Sequence, residues 1–453
     1  MSDTPRAQMV AAELDGTFNL SDRTDAFTDD SNNPHSLAQI RHLPEDVLIM
    51  LFEEFVAEER PLPWPDGHYS SQRATGPFVL AAINRDWRDI VLSCPTIWSY
   101  FGFPAGREQL SLLELRVERS KDVPIDIFWR STPLEMDSEA FKCLMRLIEL
   151  CSRWRDVDIS LQSSDTSVNR LGCLTRPMPF LRSFVVQSQI TSQDEELAVS
   201  DVFCDAPSLK RLFFDHIAED WKFSDIRPPA LTELALWLYN CQAAPLVALL
   251  AQVSSTLETL AFYGKSYNPR KSDAHLFVTL PKVTSITAHR PRWLQNIRAP
   301  ALRHLSFWGA SNGHSIIPYI STYRSVQSLG LWGNITGLDS VDVLRVFDAV
   351  KCVRIAVPPG SYKIFGGEAC FIGKGVLRNI ADEEQPLWPA LQVLAFGNDG
   401  YQGEEIELDF DDLELIARRR GHLGGVADPI EFKPVSSLTQ GLRIALTRLN
   451  GPS

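Results

Sequence analysis

Apolar side chains in the second two thirds of the chain recur in one short unit, L-x-x-L-x-L. The copies are Leu209-Leu212-Phe214, Leu231-Leu234-Leu236, Leu257-Leu260-Phe262, Val283-Ile286-Ala288, Leu302-Leu305-Phe307, Val326-Leu329-Leu331, Val350-Val353-Ile355 and Leu391-Leu394-Phe396, with weaker copies beginning at Trp154 and Leu181. Side chains alternate across a strand, so the fourth and sixth positions share one face of a short β-strand. From Leu209 to Val350 the units start 22, 26, 26, 19, 24 and 24 residues apart. A single unit cannot bury its apolar face, whereas stacked units share one continuous core. The 41-residue gap before Leu391 marks an insertion over 358–387, rich in glycine. Leu413–Arg420, Ile430–Phe432 and Leu442–Leu449 are expected to cap the far end.

The first hundred residues carry a different period. Val47, Leu48, Leu51, Phe52 and Phe55 recur at steps of three and four, which predicts an amphipathic helix over Leu43–Val56. Pro44 suits its first turn, and Glu45 and Asp46 favour its positive end. Residues 60–77 hold several prolines and glycines and predict a loop. A second helical run follows from Pro77, with Phe78, Ala81, Ala82, Trp87, Ile90 and Val91 as its apolar face. Pro95 ends that helix, and Ile97 and Trp98 begin a further short turn. Residues 1–38 are polar and acidic with no sustained period, and predict a disordered tail.

Three signals in order carry a resemblance. Leu43-Pro44 is followed by Asp46 and the apolar pairs Val47-Leu48 and Leu51-Phe52. Next comes Ile83-Asn84-Arg85-Asp86-Trp87, and then Pro95-Thr96-Ile97-Trp98. The segment resembles an F-box domain, most of all those of mushroom-forming fungi, and departs from it in the proline-rich stretch at 60–76. The downstream units resemble degenerate leucine-rich repeats, since the consensus asparagine survives only at Asn334. The expected fold is therefore α/β: a disordered acidic tail (1–38), an all-α F-box-like domain (39–104), then a leucine-rich-repeat-like solenoid with a mainly parallel sheet and a cap (105–453). The resemblance implies a substrate adaptor that binds a Skp-type adaptor, and through it a cullin ubiquitin ligase. Leu43, Pro44, Val47, Leu48, Leu51 and Phe52 would form the adaptor-binding surface, with Trp87 and Trp98 in the core. An apolar helical cap on a larger domain is the alternative reading of the same helices.

Charge narrows the partners. Of 453 residues, 44 are Lys or Arg and 57 are Asp or Glu, giving a net charge of −13. Residues 1–60 hold thirteen acidic and four basic side chains, so nine of those net charges lie at the N-terminal end. A general nucleic-acid binder needs a basic surface, so none is expected. No apolar run approaches the ~20 residues a bilayer requires, so no membrane span is expected. With no basic-then-apolar leader, the expected localisation is cytoplasmic or nuclear. The eight cysteines form no C-x-x-C pair and read as reduced, buried small hydrophobes. The histidines show no ligand spacing, and no metal or cofactor is expected.

Catalytic motifs are weak. Gly309-Ala310-Ser311-Asn312-Gly313 matches G-x-S-x-G after a strand, but no oxyanion segment precedes it and sibling repeats lack the serine. A hydrolase using Ser311 is the remote alternative, and a repeat protein not engaged with a ligase is the nearer one. Gly366–Gly375 lacks both the spacing and the hydroxyl residue of a phosphate loop. The expected chemistry is not enzymatic. Position seven of five successive repeats holds a ring: Trp237, Tyr263, His289, Trp308 and Trp332. With strands ~4.8 Å apart this row spans roughly 19 Å on the face away from the core. It is expected to contact the target protein, the alternative being rings that stack on each other and serve stability.

Overall fold

The computed structural model describes residues 43–59, 75–103, 109–130, 139–161, 176–188, 203, 205–217, 230–241, 243–267, 275–288, 291–308, 322–332, 344–357, 380, 387–398, 416 and 431–434. The expected tail, the Gly309–Gly313 motif, Asn334, most of the glycine-rich insertion and most of the C-terminal cap lie outside them. The chain divides into two units, Met1–Glu54 and Phe55–Ser453. The described part of the first is residues 43–54. Here the Pro44 carbonyl accepts from the Leu48 N–H at 3.0 Å and starts helix α1 (Glu45–Glu58) where the proline pattern places it.

In the second unit, the helix expected from Pro77 to Pro95 is two helices. α2 (Gly76–Ile83) and α3 (Arg85–Ser93) meet at Asn84, whose backbone is extended (φ −157°, ψ 177°). Its side chain accepts from the Trp87 N–H at 2.8 Å. Asparagine competes for backbone donors and is a strong N-cap, so it ends one helix and opens the next. A 3₁₀ turn over Pro95–Trp98 leads directly into a strand.

That strand, β1 (Tyr100–Phe103), begins a sheet of thirteen strands inside the span assigned from sequence to the helical domain. The rest are β2 (Ile125–Arg130), β3 (Trp154–Leu161), β4 (Ser183–Ser188), β5 (Arg211–Ile217), β6 (Glu233–Cys241), β7 (Thr259–Tyr267), β9 (Ser285–Ala288), β11 (His304–Trp308), β12 (Ser328–Trp332), β13 (Cys352–Val357), β14 (Val393–Asn398) and β15 (Glu431–Pro434). They lie in chain order, and each described pairing is parallel. Among the described residues, β8 (Val278–Thr279) and β10 (Ile297–Arg298) pair with each other in a small second sheet that the repeat pattern does not signal.

The fourth and sixth positions point into one apolar core. Leu234, Leu236, Leu260, Phe262, Leu305, Phe307, Leu329 and Leu331 are all buried in it. The same register extends upstream: Phe101 pairs with Ile127 and Ile127 with Val157, while Trp98, Phe103 and Trp129 fill the flanking core positions. Two repeats at β1 and β2 thus precede those legible as L-x-x-L-x-L.

The repeat also has a further buried position three residues before its first leucine. Met178, Ala206, Leu280, Ala299, Tyr323, Phe347 and Trp388 occupy it, and each carbonyl accepts from the N–H of the leucine-type residue that follows. The turn aims the chain into the strand. At the second position one carbonyl takes two donors from the next repeat: Lys210 from Thr232 and Glu233, Thr232 from Glu258 and Thr259, Arg303 from Gln327 and Ser328. The returns between strands vary. Full helices α4 (Leu110–Ser120), α5 (Glu139–Glu149) and α6 (Ala243–Val253) serve some repeats, and a 3₁₀ turn (Pro291–Asn296) serves the shortest, which fits its 19-residue spacing.

Candidate interaction surfaces

The first surface is helical. Along α1, Leu48, Phe52 and Val56 follow a four-residue step and are buried, whereas Met50, Leu51 and Phe55 are 69%, 50% and 42% exposed. Of the residues the resemblance nominates, Leu48 and Phe52 are therefore interior, Leu43 and Val47 half-buried, and Pro44 and Leu51 open. Met50 was not nominated; an exposed methionine on an apolar helix is its signal.

Helix α2 has no polar side chain after Thr75, and Val79 and Ile83, one turn apart, are both half exposed. Its start is held by Glu59, whose carboxylate accepts from the Gly76 N–H at 2.8 Å and the Thr75 hydroxyl at 3.3 Å. Burial raises the Glu59 pKa against the opposing pull of those donors and of Arg116. Arg116 on α4 is itself fully buried. Its guanidinium donates to the Tyr100 carbonyl at 2.7 Å and lies 5.3 Å from the Phe78 ring, and desolvation brings its pKa down to about 10. Trp98 is buried as expected, edge-on to Phe78 at 5.2 Å, with its indole N–H on the Val91 carbonyl at 2.8 Å. Trp87 is only half-buried.

The second surface is the sheet face away from the core. Over β2 to β6 it is charged and internally paired. Arg130 forks onto Asp158 at 2.7 and 2.9 Å, Arg155 onto Asp126 at 2.7 and 2.5 Å, and Arg211 onto Glu233 at 2.6 and 3.2 Å. Asp156 faces Asp126 and Arg155; burial and the neighbouring carboxylate raise its pKa.

Beside these pairs lies a small apolar cluster of Val185, Phe213, Trp237, Ala261 and Tyr263. Trp237 and Tyr263 are opposite each other in register and stack at 5.8 Å with planes 14° apart, and Phe213 meets Tyr263 edge-on at 6.4 Å. Their exposures are only 6% and 8%. Within this chain the two rings chiefly contact one another and their neighbours. Trp308 and Trp332 are also in register, and His289 lies outside the described residues.

Among the described residues no cluster of His, Cys, Asp or Glu could hold a metal ion, and no helix is long and apolar enough to cross a membrane. No protein-family model and no curated protein matches the sequence. Among solved structures, the crystal structure of a TLR13–ssRNA13 complex matches with a TM-score of 0.34 and 16% identity, over 66% of this chain and 37% of that one. The chain thus spans little more than a third of that protein's length. The fold is mixed α/β with a long parallel sheet whose strands follow the repeated L-x-x-L-x-L unit.

Proposed function

We propose that this protein is the substrate-recognition adaptor of a Skp–cullin–F-box ubiquitin ligase. Its helices would dock on a Skp-type adaptor and its repeat domain would hold a target protein. The observation that carries the reading is the exposed apolar character of α1 at the place where the F-box motif falls. Leu51 and Met50 stay open while Leu48 and Phe52 of the same helix are buried. A helix that leaves large apolar side chains in water on one side has a partner-binding stripe. The chemistry assigned to this chain is position rather than bond making: holding a target beside the ligase raises the effective concentration for transfer. No catalytic residue or cofactor is assigned.

The test is co-purification of a Skp-type adaptor with the full chain. Replacing Leu43 and Pro44 by Ala, or Leu51 by Glu, is expected to abolish adaptor capture while circular dichroism of the repeat domain is unchanged. Capture that survives both variants would leave the alternative, a repeat protein that binds its partner without engaging a ligase.

A further inference from the structure

Charge is unevenly divided along the repeats. From residue 275 to residue 357 the described side chains include seven cations and one carboxylate, Asp348, in a chain whose net charge is −13. Arg298 lies over the Phe277 ring at 3.8 Å, and Arg345 and Arg354 have partners of their own. The other four, Lys282, Arg303, Arg324 and Lys351, are exposed and make no ion pair with a described residue. They share one edge of the sheet. Lys282 and Arg324 sit in the turns Leu280–Val283 and Tyr323–Val326 that feed β9 and β12, and Arg303 and Lys351 hold the second repeat position just before β11 and β13. Those four strands are parallel, in register and adjacent in turn, so the cations lie along about 14 Å of strand starts. Main-chain bonds fix the row. The Arg303 carbonyl accepts from the Gln327 N–H at 2.9 Å, and the Gln327 carbonyl from the Lys351 N–H at 2.8 Å, so the exposed Gln327 stands between the two cations. Upstream on the same edge the cations meet carboxylates. Arg155 forks onto Asp126, Arg182 pulls on Asp156, and Glu258, at the second position of the β7 repeat, closes the patch.

We propose that this basic edge binds a short acidic stretch of polypeptide, and that the stretch belongs to the target held by the repeat domain. The inference rests on the target-capture half of the function proposed above. Charge complementarity selects the occupant. Four cations on adjacent strands repel one another, and a facing anion turns that repulsion into attraction. A guanidinium fork and an ammonium group both suit carboxylates, while the Gln327 amide both donates and accepts and so meets main-chain N–H and C=O groups. A neutral or basic segment would gain nothing from the four charges. Nucleic acid is the other anion. Its phosphates are evenly spaced and continuous, so a strand laid along this edge would run from the cations onto Glu258. A peptide can place its carboxylates opposite the cations alone.

The experiment pans a random-peptide display library against the full chain at low salt, with an oligothymidylate as competitor. The expected peptides share acidic positions. Their Kd is expected to rise about tenfold or more when ionic strength goes from about 0.05 to about 0.5 M, because exposed charges are screened. Arg303→Gln combined with Lys351→Gln is expected to weaken binding about tenfold or more at unchanged melting temperature, whereas Arg182→Gln, far along the same edge, changes it less than about twofold. If the double variant lowers the melting temperature, Arg324→Gln decides alone, with a loss of about threefold or more expected. Neutral or basic selected peptides, no selected peptide, binding indifferent to salt or to the deciding variant, equal sensitivity to Arg182→Gln, or displacement by the oligothymidylate each overturns the proposal. Adaptor capture is read separately. Loss of peptide binding with adaptor retained removes only this inference, and loss of adaptor with peptides retained removes only the ligase reading.

Discussion

At the scale of single residues, backbone and burial make the sharpest demands. Gly264 follows the stacked Tyr263 at a φ of +112°, where the register between β6 and β7 is irregular, and a Cβ there would run into the Leu238 carbonyl. Side chains other than glycine's rarely adopt that conformation. Gly264→Ala is therefore expected to destabilise the protein by about 2 kcal/mol or more, read as a fall in the denaturant midpoint. Glu59 makes a different prediction. Its native pKa lies above its ordinary value, so between the two the native state holds a proton the unfolded chain has released. Stability must then fall as pH rises from about 4.5 through the native pKa, the reverse of the usual carboxylate slope. Asp156 contributes in the same direction from its own lower starting value. Glu59→Gln keeps an acceptor for the Gly76 N–H, and is expected to flatten this part of the stability–pH curve in urea titrations across the mildly acidic range.

At the scale of elements, Asn84 decides how many helices precede the sheet. Hydrophobic spacing runs from Phe78 to Val91 without a visible break, because the i, i+3 pattern is blind to one extended residue. The Asn84 cap on Trp87 supplies the break. Asn84→Ala is expected to cost about 1 kcal/mol, measured by thermal unfolding, with adaptor capture as a second readout if α3 shifts. The strands are more legible. Leu234 is buried where its repeat position places it, and Leu234→Asp would bury an unpaired charge. Loss of the cooperative transition and of near-ultraviolet dichroism is the expected result.

At the scale of the whole molecule, stacking order governs stability. Each repeat buries its face against its neighbours, so removing an end repeat uncovers the next. Deleting residues 1–104 takes away β1 and the carbonyl of Tyr100 that holds Arg116, and leaves β2 as the bare edge. A chain beginning at 105 is expected to melt well below the full chain and to aggregate on heating, checked by calorimetry and light scattering. At the other described edge, β15 carries Glu431, Lys433 and Pro434, residue types that resist pairing with another chain.

The repeat spacing, the positions of the long sheet's strands from β3 to β14, the start of α1 and the burial of the fourth position were legible in the sequence alone. A period-two pattern read against a fixed repeat has only one way to place its core face. The row of rings at Trp237 and Tyr263 was also legible as a register, but the pattern says only which face a side chain takes. Whether such a ring meets water or a neighbour depends on what the adjacent strands place beside it. Here Phe213, Val185 and Ala261 enclose the pair. Tertiary structure likewise decided that β1 belongs to the sheet, since Tyr100–Phe103 resembles the end of a helical domain until its partner β2 is known. It decided that Leu48 and Phe52 are buried while Leu51 is exposed. It also decided that the charged side chains over β2 to β6 pair among themselves across neighbouring strands. Periodicity is a property of one strand or helix. Exposure and pairing are set by residues far apart in the chain, and only their meeting in space assigns them.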